Sequence, residues 1–174
     1  MLKIYGSKFE SKTIDILRLI NHIQHLSQSN DITIQLFNAK YIYGKDHLNS
    51  AFTHAKRAFD HDRATASALA MEILLYASGE YQIKNAIDKL GVKEDSEEIA
   101  VLINDENNRS EQELDNIFAE FLKVFGFTRD DGVLNGDVET LESFGISRDE
   151  LSAIPENKRL ELVLEKVALV DIQK

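Results

Sequence analysis

Apolar positions change period several times along the chain, and each change marks an element. Ile14, Ile16, Leu17, Leu19, Ile20, Ile23 and Leu26 recur at helical spacing, which predicts a helix over about residues 13–27. Before it, Leu2 to Tyr5 reads as a short first strand. Residues 32–37, ITIQLF, are rich in β-branched side chains and follow an Asn30-Asp31 turn signal, so they read as a second strand. A helix over about residues 46–60 would set Leu48, Phe52, Ala55 and Phe59 on one stripe. Lys45 and Lys56 flank that stripe on one side, Arg57 points away from it, and His47 and His54 lie on the other flank.

The next segment, residues 66–77, is apolar on nearly every side, so as a helix it must be enclosed by protein. Thr65 is its expected N-cap and Gly79 its breaker. Ile83, Ala86, Ile87 and Leu90 make a third, amphipathic helix, with Gly91 expected in the left-handed position at its end. Residues 99–103, IAVLI, form a continuous apolar run of strand type. Ser110 and Glu113 make a capping box. It opens a helix with Leu114, Phe118 and Phe121 on one side, stopped by Gly126. A loop and a short helix ending near Gly145 follow. Ser147 and Glu150 make a second capping box, and Pro155 suits the start of a last helix over about residues 155–169. The order of strand, helix, strand, three helices, strand does not fit alternating βαβ units. The expected fold class is α+β: a small, mostly antiparallel sheet of three or four strands packed with about seven helices. A single domain over residues 1–174 is expected, with its softest point near residues 105–110 and a mainly helical, acidic remainder.

Composition narrows the classes. The chain has no cysteine, which removes disulfides, thiolate zinc sites and cysteine nucleophiles and accords with a reducing compartment. Residues 1–8 hold no sustained apolar stretch and do not read as a signal peptide. The apolar run at 66–77 is broken by Glu72 and is shorter than the about 20 residues of a membrane span. A soluble, cytoplasmic protein with no membrane partner is therefore expected. The net charge of −10 is split: residues 1–93 carry 12 Lys/Arg against 9 Asp/Glu, and residues 94–174 carry 8 against 21. The acidic half reads as solvated surface, while the basic half leaves RNA binding open.

Candidate chemistry is sparse. His47, His54 and His61 recur every seven residues, but on a helix that spacing is about 10 Å along the axis, too long for two imidazoles to share one ion unaided. Residues 131–142 approach a calcium loop, with Asp131, Asn135, Gly136, Glu139 and Glu142 at the right places and Val133 where an oxygen ligand belongs. The alternative is an Asn135-Gly136 turn with Asp137 capping the next helix. Glu72 stands alone in an apolar helix and must find a partner there. No phosphate-binding loop, HExxH or GxSxG motif occurs, so no catalytic residue, metal or cofactor is assigned and no enzyme activity is expected. Lysines and arginines interspersed with Tyr41, Tyr43, Tyr76 and Tyr81 suit single-stranded nucleic acid, where cations hold phosphates and rings stack bases.

The order of motifs is itself informative. QLFNA at 35–39, GKDHL at 44–48, HAKRAF at 54–59, MEILLYASG at 71–79 and Gln82-Ile83 before Ala86-Ile87 resemble the smallest core-domain subunit of the KEOPS complex, the family that includes the binding protein of the p53-related protein kinase. The resemblance covers about residues 32–103; residues 105–174 are similar to the C-terminal part of archaeal members. It departs from the family at Tyr81, where an Arg often precedes the Gln-Ile pair.

This resemblance implies a non-catalytic subunit of the assembly that installs threonylcarbamoyladenosine in tRNA. Such a subunit docks on the complex's small atypical kinase/ATPase, stimulates it, and helps hold the single-stranded 3′ CCA end of tRNA. DNA is not an expected partner. Lys56, Arg57, Arg63 and Lys84, clustered around the matched helices, are the expected tRNA contacts. Leu69, Ile73 and Tyr76 on the apolar helix are the expected partner contacts. The rival readings are a pure protein-interaction adaptor without RNA binding and a calcium-responsive adaptor.

Overall fold

The apolar run at 99–103 becomes the axis of the molecule. In the computed structural model, which describes residues 1–9 and 13–173, it lies in β3 (Glu98–Asn104). Antiparallel partners flank β3 on both sides: β2 (Thr33–Asn38) and β1 (Leu2–Phe9). A short β4 (Phe127–Arg129) pairs with the far end of β1, giving the order β2-β3-β1-β4. Alternate side chains of β3 enter different cores. Ile99, Val101 and Ile103 join one, and Ala100 and Leu102 join the other. A strand covered on both faces has no polar alternation, which is why this one reads as a continuous apolar run. The α+β class is borne out.

One face is covered by α1 (Ile16–Asn30) and α5 (Glu111–Phe125). Leu19, Leu26, Leu114, Phe118 and Phe121 pack there on Tyr5, Ile34 and Val101. Tyr5 stacks on Phe118 with ring centroids 4.2 Å apart. The other face carries α2 (Lys45–Asp60), α3 (Leu69–Ser78), α4 (Ile83–Leu90) and the C-terminal α8 (Arg159–Gln173). Val167 and Val170 of α8 share a core with Leu48, Ile73 and Phe37. Between α5 and α8, α6 (Val138–Phe144) and α7 (Arg148–Ala153) close a small satellite core around Leu141, Phe144 and Val163.

Local signals hold at most ends. Ser110 with Glu113, and Ser147 with Glu150, form the expected capping boxes, and Asp137 caps α6 with Thr140. Gly79 and Gly126 take left-handed conformations at the ends of α3 and α5.

Several expectations are corrected. Helix α1 begins three residues later than expected, where Asp15 accepts from the Arg18 N–H, and runs on to Asn30. On α2 the buried stripe is Leu48, Ala51, Ala55 and Ala58, with Phe52 and Phe59 only half-buried. Small residues face inward because α3 and α8 both pack closely on α2. Thr65 does not cap α3, which starts only at Leu69. Gly91 is not left-handed: its φ is −62°. A Cβ there would lie 2.4 Å from the Ile87 carbonyl oxygen, so space is what requires glycine. The last helix follows a 3-10 turn at Glu156–Lys158 and begins at Arg159. Strand β4 has no counterpart in the sequence reading.

Candidate interaction surfaces

Helix α3 is tied to other parts of the chain at both ends. Near its start, the wholly buried Glu72 carboxylate accepts from the backbone N–H groups of Thr65 and Ala66, at 3.0 and 2.8 Å. The helix thus holds the linker before it, where the sequence suggested the reverse. At its end, His47 Nε2 donates to the Ala77 carbonyl at 2.8 Å while Nδ1 accepts from the Tyr43 N–H at 3.2 Å. Both ring nitrogens are engaged, so His47 has none to offer a metal. Burial pushes its pKa down to about 4. Lys89 donates to the Ser78 carbonyl at 2.7 Å and lies 4.3 Å from the centre of the Phe144 ring. A cation at a helix C-terminus is electrostatically favourable, and here it holds α4 against α3.

The expected RNA contacts are dispersed. Lys56 pairs with Asp60 and, at 3.6 Å, with Glu106, and these contacts hold its ammonium charged above the ordinary lysine range. Arg57, one residue on, pairs with Asp171 of α8. Arg63 is exposed on the linker between α2 and α3, and Lys84 is exposed on α4. Of the expected partner contacts, only Leu69 keeps surface. Ile73 and Tyr76 are wholly buried, because α2, α4, β2 and α8 all pack on α3.

Three carboxylates of residues 131–142 go to separate protein partners. Asp131 accepts from the Gly6 N–H at 2.8 Å and pairs with Arg129, Asp137 caps α6, and Glu142 pairs with Arg148. No group of three His, Cys, Asp or Glu suited to a metal gathers among the described residues. No helix among them is long and apolar enough to cross a membrane.

A surface the sequence reading missed lies beside β2, at one edge of the sheet. An open trough of about 280 Å³ runs from Ile16, Ile20 and Ile23 of α1, past Leu36, to Met71 of α3 and Ile87 of α4. Ile20 and Ile87 remain exposed, as does Leu17 on the same helix at 76%. The lining carries no charged side chain. The signal was present in the sequence: Leu17 and Ile20 widen the apolar arc of α1 beyond what one core face requires.

The family described as Kinase binding protein CGI-121 matches residues 15–130 of this chain. The chain belongs to the CGI-121 family. The matched segment of this CGI-121 protein holds every residue lining the trough, together with α1 to α5 and strands β2 to β4. A curated relative, the Regulatory protein Cgi121 of Methanocaldococcus jannaschii, is 30% identical over 159 residues. That similarity covers 90% of this chain and 93% of the relative, so it extends past the family segment into the C-terminal helices.

Proposed function

We propose that this CGI-121 protein is a non-catalytic regulatory subunit that binds and stimulates a small atypical protein kinase/ATPase. In this reading it works within the cytoplasmic KEOPS tRNA-modification assembly and helps hold the 3′ CCA end of tRNA. The observation that carries the kinase role is the family match over residues 15–130, whose description names kinase binding. The uncharged trough beside β2 supports docking of a protein there, since the centres of protein interfaces are depleted of charge. In this reading Ile20 and Ile87 replace Ile73 and Tyr76 as partner contacts. Gel filtration of the chain with the kinase tests the first role, and failure to co-elute would reject it. Binding of full-length tRNA compared with tRNA lacking CCA tests the second.

The reading without RNA is favoured by one observation: Lys56 and Arg57 are already paired with carboxylates of this chain. Equal and negligible binding of both tRNAs, with kinase binding intact, would establish it.

A further inference from the structure

Three donors from two helices converge on one carboxylate. The Arg57 guanidinium and His54 of α2 reach Oδ2 of Asp171, the latter from Nδ1 at 2.9 Å. The Tyr76 hydroxyl of α3 reaches Oδ1. The His54 and Tyr76 rings lie 5.6 Å apart, tilted by 30°. The Arg57 guanidinium lies 3.0 Å from the same His54 nitrogen; with the imidazole proton on Nδ1, both groups donate side by side to Oδ2 of Asp171. Asp171 stands in the last turn of α8, more than a hundred residues from all but Tyr76, and even that lies 95 residues away. Burial alone would raise the Asp171 pKa, but the Tyr76 and His54 hydrogen bonds and the Arg57 charge hold it below the usual range.

We infer that His54, Arg57 and Tyr76 form an oxyanion site for a phosphate group, which Asp171 fills in cis. The donor set is what a phosphate requires: a guanidinium, an imidazole N–H and a hydroxyl aimed at one point. The occupant is replaceable. The Arg57 side chain is half exposed and that of Asp171 about one-third exposed, and an exposed ion pair is worth only about 0–1 kcal/mol. Asp171 comes from the last turn of the chain's final helix, where Val170 is buried and Leu169 and Ile172 are exposed. Release of that turn frees Arg57, one of the cations expected to touch RNA. The site needs no RNA to exist; that its phosphate comes from RNA rests on the reading under Proposed function.

The test uses the full chain and Asp171→Asn, which removes the charge and keeps the shape. Glu161→Gln, on the exposed side of the same helix, controls for the change in net charge. Two probes are titrated at low salt: inorganic phosphate, followed by NMR at His54, and full-length tRNA. D171N should bind phosphate more tightly by up to about fivefold, the scale of one exposed ion pair, with E161Q unchanged. Adding Arg57→Gln should remove the gain. With tRNA, D171N should also steepen the salt dependence by about 0.7, one single-strand phosphate contact. If D171N gains for phosphate but no variant binds tRNA, the site stands and the RNA reading falls. If D171N and E161Q match the parent with phosphate, and thermal melting shows both folded, the inference is overturned.

Discussion

His47 and Glu72 are polar groups sealed in an apolar layer, and both are committed to backbone partners. His47 must stay neutral to keep its two hydrogen bonds, while the unfolded chain protonates it near its ordinary value of about 6.5. Its depressed value places the consequence on the acid side. The stabilisation is complete above about pH 6.5, falls as pH drops towards about 4, and levels off below that. Denaturant titrations across this window should show a loss of roughly 3 kcal/mol, and His47→Gln should flatten that part of the curve. Glu72 accepts from two linker N–H groups. Glu72→Ala should cost about 1–3 kcal/mol and speed hydrogen exchange at the Thr65 and Ala66 amides. Unchanged exchange there would show that the linker is held by something else.

Several helix boundaries of this chain are set within a few residues. The capping boxes at Ser110 and Ser147 need only four consecutive residues, so they form wherever the chain runs on as helix. Gly91 is different, because its backbone angles suit any residue while the Ile87 carbonyl leaves no room for a side chain. Gly91→Ala ordinarily stabilises by about 0.4–1 kcal/mol through the unfolded state where the site can accept it. Here it should lower the melting temperature instead, with the disturbance confined to α4 and the turn after it. A rise in melting temperature would mean that the Ile87 carbonyl yields easily.

At the scale of the whole molecule, two helical layers enclose the sheet, and the C-terminal helix closes one of them. Helix α8 covers α2 and α3, while the trough at the β2 edge stays open as an apolar surface. Ile20→Asp should weaken kinase binding by about 1 kcal/mol or more. Its melting temperature should change little, because the side chain is half exposed. Isothermal titration with the purified kinase reads the first quantity and calorimetry the second. Undiminished binding would remove the trough from the interface.

The sequence by itself determined the features whose physics is local. These include the strand type of residues 99–103, the amphipathic helices, three of the helix starts and the left-handed ends at Gly79 and Gly126. Ordered motifs from Gln35 to Ile87 also carried the family, because side chains at fixed spacing need no fold to be read. Tertiary structure decided what lies across the chain. An all-apolar α3 announces that it is enclosed, but nothing in its own period says that α8 completes the enclosure with α2, α4 and β2 and so leaves Ile73 and Tyr76 buried. Charge counts marked Lys56 and Arg57 as available cations; Asp60 stands one turn from Lys56 on the same helix, but Glu106 and Asp171 reach them only once the chain is packed. Strand β4 is three residues long, too short to show a period, and exists because β1 offers it an edge. Period and capping act within a few residues, whereas pairing and exposure depend on which distant surfaces the fold brings together.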